Sequence, residues 1–284
     1  ASSKVLAVQG QVLPATNIDV MLWAELEDGE KIFGESKISE SKKLISRIGY
    51  LPENPSALPS ALESIKEADL IVLGPGSLYT SLLPNLLVPE IVDALLKSNA
   101  PKIYISNLIT QPGETDGLDV YQHIKAIEKQ LLNFGVKTRI FNAILSQVKF
   151  EKSPLVDYYQ SRGAVPVFCN KEKLISEGYY VLQAPLYSRK ITPTLRHDPR
   201  RLARAVMFIN KKLKKFLQII LLIILPFKAY ALIEVDITRG NLDPLPIAVS
   251  PLSIDESSKK NFKKILDKEN IGAEISSIIE NNLK

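Results

Sequence analysis

Two short stretches carry most of the residues able to do chemistry. One is Gly74-Pro75-Gly76-Ser77-Leu78-Tyr79-Thr80-Ser81. The other runs from Asn107 through Gln111, Glu114, Thr115 and Asp116 to Gly117. Gly74 and Gly76 let a backbone approach a ligand closely. Free N–H groups there, with the hydroxyls of Ser77, Thr80 and Ser81, can bind phosphate oxygens. No Gly-Lys-Ser/Thr follows, so this is not a P-loop. On composition alone a tight turn accounts for the stretch equally well. In the second stretch, Asn107 and Gln111 can read the edge of a base or sugar. Glu114 and Asp116 could hold Mg²⁺ through water, as is usual for phosphate substrates. Asp116, or Thr115, also reads as the N-cap of the next helix, whereas Glu114 has no equally cheap structural role. A third stretch is Arg196-His197-Asp198-Pro199. Asp198 caps and Pro199 begins a helix, which leaves Arg196 outside its positive end and free to grip a diphosphate.

The elements that must position these residues follow from the apolar pattern. The first two stretches each follow a short apolar run, over 69–73 and 102–106. Such runs, separated by a helical segment, read as parallel strands joined by a crossover. Ligands of open parallel sheets bind beyond the carboxyl ends of the strands. The two loops are therefore expected to be the lips of one site. Pro89 opens a helix to about Lys97. Val120, Ile124, Ile127 and Leu131 mark one face of a helix over 118–132, with His123 on its polar, solvated side. Further helices are expected over 60–68, 155–162, 174–178 and 200–210, and strands over 139–145, 165–168 and 179–182. Gly163 ends the second of these helices. Residues 4–36 read as β structure, with a hairpin turn at Asp28-Gly29. An extended linker with Pro52, Pro55 and Pro59 follows. The sum is an α/β fold with a mostly parallel sheet flanked by helices.

Composition removes several classes of function. The chain has 284 residues, 45% of them hydrophobic and 24% charged, enough for one or two domains with a sizeable core. Its net charge of +5 is partly local, in Lys211, Lys212, Lys214 and Lys215. No basic patch is interleaved with aromatics, so nucleic acid is not an expected partner. The single cysteine, Cys169, rules out an internal disulfide, and without a Cys/His cluster no zinc site is expected. Cys169 follows an apolar run and reads as a buried, inert thiol.

Near Met207 the character of the chain changes. The basic run 211–215 precedes the apolar residues 216–227 and then Ala229-Tyr230-Ala231. Positive start, short apolar core and small-x-small end are the order of a secretory signal peptide, with cleavage governed by Ala229 and Ala231. The core is shorter than the roughly 18–20 residues a spanning helix needs. A buried core helix is the other reading, and residues 213–227 are a candidate membrane contact. The chain begins Ala-Ser-Ser and ends within a helical pattern, so both ends read as cut.

The motifs Leu73 to Asn85 and Asn107 to Gly117 closely resemble the CofD-like family, over about residues 1–210. That family contains 2-phospho-L-lactate transferases of deazaflavin-coenzyme synthesis. It also contains YvcK-type gluconeogenesis factors, which bind UDP-sugars and affect cell shape. Val12-Leu13-Pro14-Ala15-Thr16 and Arg196-His197-Asp198-Pro199 are similar to the YvcK type. The resemblance implies a Rossmann-like fold over 1–206, lacking the family's opening strand and glycine-rich loop. It implies a nucleotide or UDP-sugar ligand, with Mg²⁺ as a possible companion, and a cytoplasmic homo-oligomer. Gly74, Pro75, Gly76, Ser77, Tyr79, Thr80 and Ser81 would lie near phosphate. Asn107, Gln111, Glu114, Thr115 and Asp116 would line the opposite lip, and Tyr159 and Arg196 would contact the UDP-sugar. No catalytic base stands out. After the signal-peptide-like segment 207–231, residues 232–284 resemble the start of the periplasmic TolB family, an incomplete α+β domain whose partners would be Tol–Pal proteins. An in-frame fusion of two gene fragments is the corresponding expectation for the polypeptide.

Overall fold

The computed structural model describes residues 10–41, 43–151, 154–188 and 194–224. In chain order the elements are β1 (Met21–Leu26), β2 (Lys31–Phe33), α1 (Glu35–Glu40), β3 (Ile45–Leu51), α2 (Pro59–Glu67), β4 (Ile71–Leu73), α3 (Pro89–Lys97), β5 (Lys102–Ile105), α4 (Val120–Leu132), β6 (Ala143–Gln147), α5 (Pro154–Gln160), α6 (Lys171–Ser176), β7 (Tyr180–Ala184) and α7 (Pro199–Ile224). Between β4 and α3 a π turn (Leu78–Leu82) runs into a 3₁₀ turn (Leu83–Leu87).

The parallel sheet expected from the apolar runs is present, with strands hydrogen-bonded in the order β4-β5-β6-β7. Every residue of β5 and β6 is buried, as central strands covered on both faces must be. Successive side chains point to opposite faces. Ile103, Ile105, Ala143 and Leu145 therefore meet Ala205 and Ile209 of α7 on one side. Tyr104, Ile144 and Val181 meet Val120, Ile124, Ile127 and Leu131 of α4 on the other. Those four α4 residues are at most 1% exposed, so the helical face read from spacing is the face that packs.

The β-rich start forms a separate antiparallel sheet, β2-β1-β3. Gly29 turns the hairpin at φ +85, where a Cβ would be strained. Alternate residues of β1, Leu22, Ala24 and Leu26, face inward and join the core cluster of α4. The sequence reading put a linker where α1 and β3 lie. In β3 the buried positions are Ile45 and Ile48, three apart, because the register with β1 shifts at Glu25/Leu26. That shift removes the period-2 signature of a strand. Helix α1 has a single buried residue, Ile38, and so no periodicity to detect.

Three other expectations are corrected. Residues 165–168 form no strand; Val167 N–H donates to Leu108 O (3.1 Å) and Val165 O accepts from Thr110 N–H (2.7 Å). Pro166 interrupts the donors a strand would need, and the segment instead braces the second loop. The strand expected over 139–145 is β6, four residues further on, because Ile140 and Phe141 are buried without joining the ladder. Helix α7, expected to end near Asn210, continues through Met207 to Ile224. No Gly or Pro lies between Pro199 and Pro226, so nothing stops the helix. No helix among the described residues is long and apolar enough to cross a membrane. The strand expected over the first nine residues, the cleavage pair Ala229 and Ala231, and the TolB-like tail 232–284 lie outside the described residues.

Candidate functional site

The first lip begins where β4 ends. Gly74 sits at φ +93, and a Cβ there would lie 2.6 Å from the Ile105 carbonyl oxygen. Only glycine lets the chain leave β4 so close to β5. Gly76 N–H then donates to Asn107 Oδ1 across the gap (3.3 Å). Behind the lip, the Ser77 hydroxyl donates to Glu114 Oε2. Thr80 Oγ1 donates to Glu114 Oε1 (3.0 Å), and Tyr79 N–H makes a long contact of 3.5 Å to the same carboxylate. Glu114 is 3% exposed. It is a strut tying one lip to the other, the structural role that sequence reading did not find for it. Burial, with Glu114 nearby, pushes the Tyr79 phenol up to about 12, so it stays neutral.

The second lip is held from within. Gln111 N–H donates to Thr115 Oγ1 (2.8 Å) and Gly113 N–H to Asp116 Oδ2 (2.6 Å). Asn107 Nδ2 reaches Gln111 Oε1 at 3.4 Å. Asp116 and Thr115 do not cap α4. Asp119 does, in a reciprocal pair with Gln122, because the capping side chain must stand three residues before the N–H it accepts from. His123 is the other correction here. It is fully buried, not solvated, with Nδ1 3.1 Å from the Tyr104 hydroxyl. Burial depresses it to about 4.

The third wall comes from the far end of the chain. Gln147, at the end of β6, accepts from Leu186 N–H (2.6 Å) and Tyr187 N–H (3.2 Å). Tyr187 bridges to His197, and Ser188 N–H donates to Arg196 O (3.0 Å). Asp198 Oδ1 caps α7, accepting from Arg200 and Arg201 N–H, as the Asp-Pro pair predicted. Burial holds the His197 imidazole below its ordinary value, against an opposing effect from the Ser106 backbone. Its Nε2 and the Gln147 Nε2 are buried without a hydrogen-bond partner among the described residues.

These three walls border an open cleft of about 460 Å³ beyond the carboxyl ends of β4 and β5. Pro75, Gly76 and Ser77 line one side, Asn107 to Ile109 and Gln111 the second, and Leu195, Arg196 and His197 the third. Of the residues named from sequence, Pro75, Gly76, Ser77, Asn107, Gln111 and Arg196 thus meet at one cleft, and Gly74 shapes its entrance. Tyr79, Thr80, Glu114 and Thr115 stand behind the lips as supports. Ser81 lies beyond them, its carbonyl accepting from Asn85 Nδ2 (2.8 Å). Tyr159 holds the third wall, its hydroxyl accepting from Leu195 N–H (3.3 Å). Glu114 accepts from protein donors at both oxygens and Asp116 turns to Gly113 N–H, so neither carboxylate lines this cleft. No group of three His, Cys, Asp or Glu able to hold a metal occurs among the described residues. Leu108, Ile109, Leu195 and His197 were not singled out. Apolar neighbours of polar loop residues carry no chemical signal, and His197 was masked by the capping role of the pair after it.

Residues 1–187 match the family described as 2-phospho-L-lactate transferase CofD. A Nostoc protein is 47% identical over 207 residues, 73% of this chain and 44% of that protein. The Bacillus subtilis protein named gluconeogenesis factor is 40% identical over 212 residues, 74% of this chain and 64% of its own length. A crystal structure of a Bacillus halodurans protein superposes with a TM-score of 0.65 at 39% identity, covering 72% of this chain and 64% of that one. The chain thus spans about half to two thirds of the relatives it matches. With a parallel sheet, two motif-bearing lips at its carboxyl edge and a match over two thirds of its length, the chain belongs to the CofD family.

Proposed function

We propose that the cleft between the two lips binds a nucleotide-linked sugar, a UDP-sugar, and that the protein acts as a regulator of the gluconeogenesis-factor type, linked to carbon metabolism and cell shape. One observation supports this above the others. Gly76 and Ser77 on one lip, Asn107 and Gln111 on the other, and Arg196, whose Nε donates to Thr194 Oγ1 (3.0 Å), line a single cleft. Arg196 supplies a cation for a diphosphate; Asn107 and Gln111 offer the paired donors and acceptors that a sugar or base edge requires. Cytoplasmic location and homo-oligomeric assembly belong to the same reading. Titration of the full chain with UDP-N-acetylglucosamine should give saturable binding, weakened about tenfold or more by Arg196→Ala. Saturation that ignores this substitution would sink the assignment.

A second reading, phospholactyl transfer to a deazaflavin, is favoured by the description of the matched family. It requires turnover: with both substrates supplied, product formation lost on Ser77→Ala would replace the regulator reading, and none is expected. For residues 207–231 and 232–284 the proposal remains a signal-peptide-like segment followed by a TolB-like beginning. Its support is the order of basic run, apolar run and Ala229-Tyr230-Ala231; the packing of α7 provides its test below.

A further inference from the structure

A larger cleft, of about 890 Å³, lies at the other edge of the parallel sheet, where β6 and β7 begin. Its walls are the segment 137–142, residues 178–180 and Lys212 with Leu213 of α7. Three cations line it: Lys137, Arg139 and Lys212. None of them pairs with a carboxylate among the described residues.

Arg139 is set in place by its surroundings. Its Nη1 donates to the Glu177 carbonyl, and its guanidinium lies 5.2 Å from the Tyr179 ring centroid. Gly178, at φ +86, stands where any Cβ would collide with Nη1. A ring and a carbonyl thus hold an exposed guanidinium against a bare glycine, with no acid among the described residues to neutralise it. The nearby carboxylates are occupied elsewhere. Glu177 takes Lys125 and Tyr121, and Glu128 takes Tyr179 and Lys125. Tyr180, 37% exposed, lines the same cleft. A guanidinium held by a carbonyl and a ring is suited to bidentate capture of phosphate, because part of the ordering entropy is already spent. An exposed ring in the same cleft offers a stacking face. The volume falls in the range of small-molecule sites.

We propose that this cleft is a second binding site, for a phosphorylated aromatic small molecule of the nucleoside-diphosphate class. Arg139, Lys137 and Lys212 hold the phosphates, and Tyr180 with Leu213 takes the ring. It is separate from the first cleft, since one opens beyond the carboxyl ends of β4 and β5 and the other at the amino ends of β6 and β7. The probes are ADP and inorganic pyrophosphate, titrated calorimetrically into the full chain. ADP should bind at least about tenfold more tightly than pyrophosphate. Arg139→Gln should weaken both by about tenfold or more, and Tyr180→Ala should weaken ADP alone. Gly178→Ala, which leaves every charge in place but displaces the guanidinium, should weaken both as well. ADP carries the diphosphate that the first cleft would also take. The titrations are therefore repeated in an Arg196→Ala background, where binding lost with Arg139→Gln belongs to this cleft. Failure of one site is thus distinguishable from failure of the other. Three results would overturn the proposal: no ADP binding, ADP binding indifferent to Arg139→Gln, or a change of oligomeric mass with Arg139→Gln and no change of affinity, which would make the cleft an interface between copies.

Discussion

At the scale of single residues, the structure separates groups that line the cleft from groups that only support its walls. Glu114 and Asp116 looked alike in sequence, two carboxylates near a turn. Glu114 is buried and accepts from two hydroxyls, while Asp116 is exposed and closes a local turn. Glu114→Ala leaves the Ser77 and Thr80 hydroxyls only each other and takes the acceptor from Tyr79 N–H, and each buried unpaired group costs about 1–3 kcal/mol. Urea unfolding should show a loss of roughly 2–4 kcal/mol, against under about 1 kcal/mol for Asp116→Ala. Equal losses, both dependent on added Mg²⁺, would restore the cation reading. His123 makes a pH prediction. Its native value is lowered by burial to about 4, while the unfolded side chain titrates near 6.5. The unfolded state therefore binds more protons below pH 6.5. This contribution is complete above that pH and falls as pH drops toward 4, by roughly 3 kcal/mol in all. His123→Phe removes the partner of the Tyr104 hydroxyl and should be less stable at pH 8, with a flatter decline between pH 6.5 and 4. An unchanged slope in the variant would show that other groups carry the acid sensitivity.

At the scale of elements, helices with a continuous apolar face were read closely. Helix α3 was expected over 89–97 and spans Pro89–Lys97. Elements whose pairing is irregular were missed, as β3 was, because a bulge erases the alternation on which sequence reading depends. Helix α7 is the element where two readings conflict. Sequence places a change of character at Met207; the helix passes through it without a break, and Ile209, fully buried, packs in the same cluster as β5 and β6. Ile209→Ala should therefore destabilise the α/β body by about 2–5 kcal/mol, measured by thermal or denaturant unfolding. If the segment from Met207 were a separate exported piece, the melting of the body would not change, and the mature amino terminus of the tail would follow Ala231.

At the scale of the whole molecule, the parallel sheet arranges every functional feature along two edges. Its carboxyl edge gathers residues 74–77, 107–111 and 195–197 into one cleft; its amino edge gathers 137–142, 178–180 and 212–213 into another. The sequence alone determined the α/β class, the two lips and their place at strand ends. Each of these follows from short-range patterns: apolar periodicity, glycine and proline punctuation, and long specific motifs. It also put Arg196 just before the first turn of α7 through its neighbours Asp198 and Pro199. Tertiary structure alone decided the rest. Whether a carboxylate is a ligand or a strut depends on which donors lie within about 3 Å of it, and those come from residues over thirty positions away, as Ser77 does for Glu114. Likewise, that Arg139 has no carboxylate partner among the described residues depends on Glu177 and Glu128 having been taken by Lys125, Tyr121 and Tyr179. Partner identity is a property of distance in space, and spacing along the chain does not encode it.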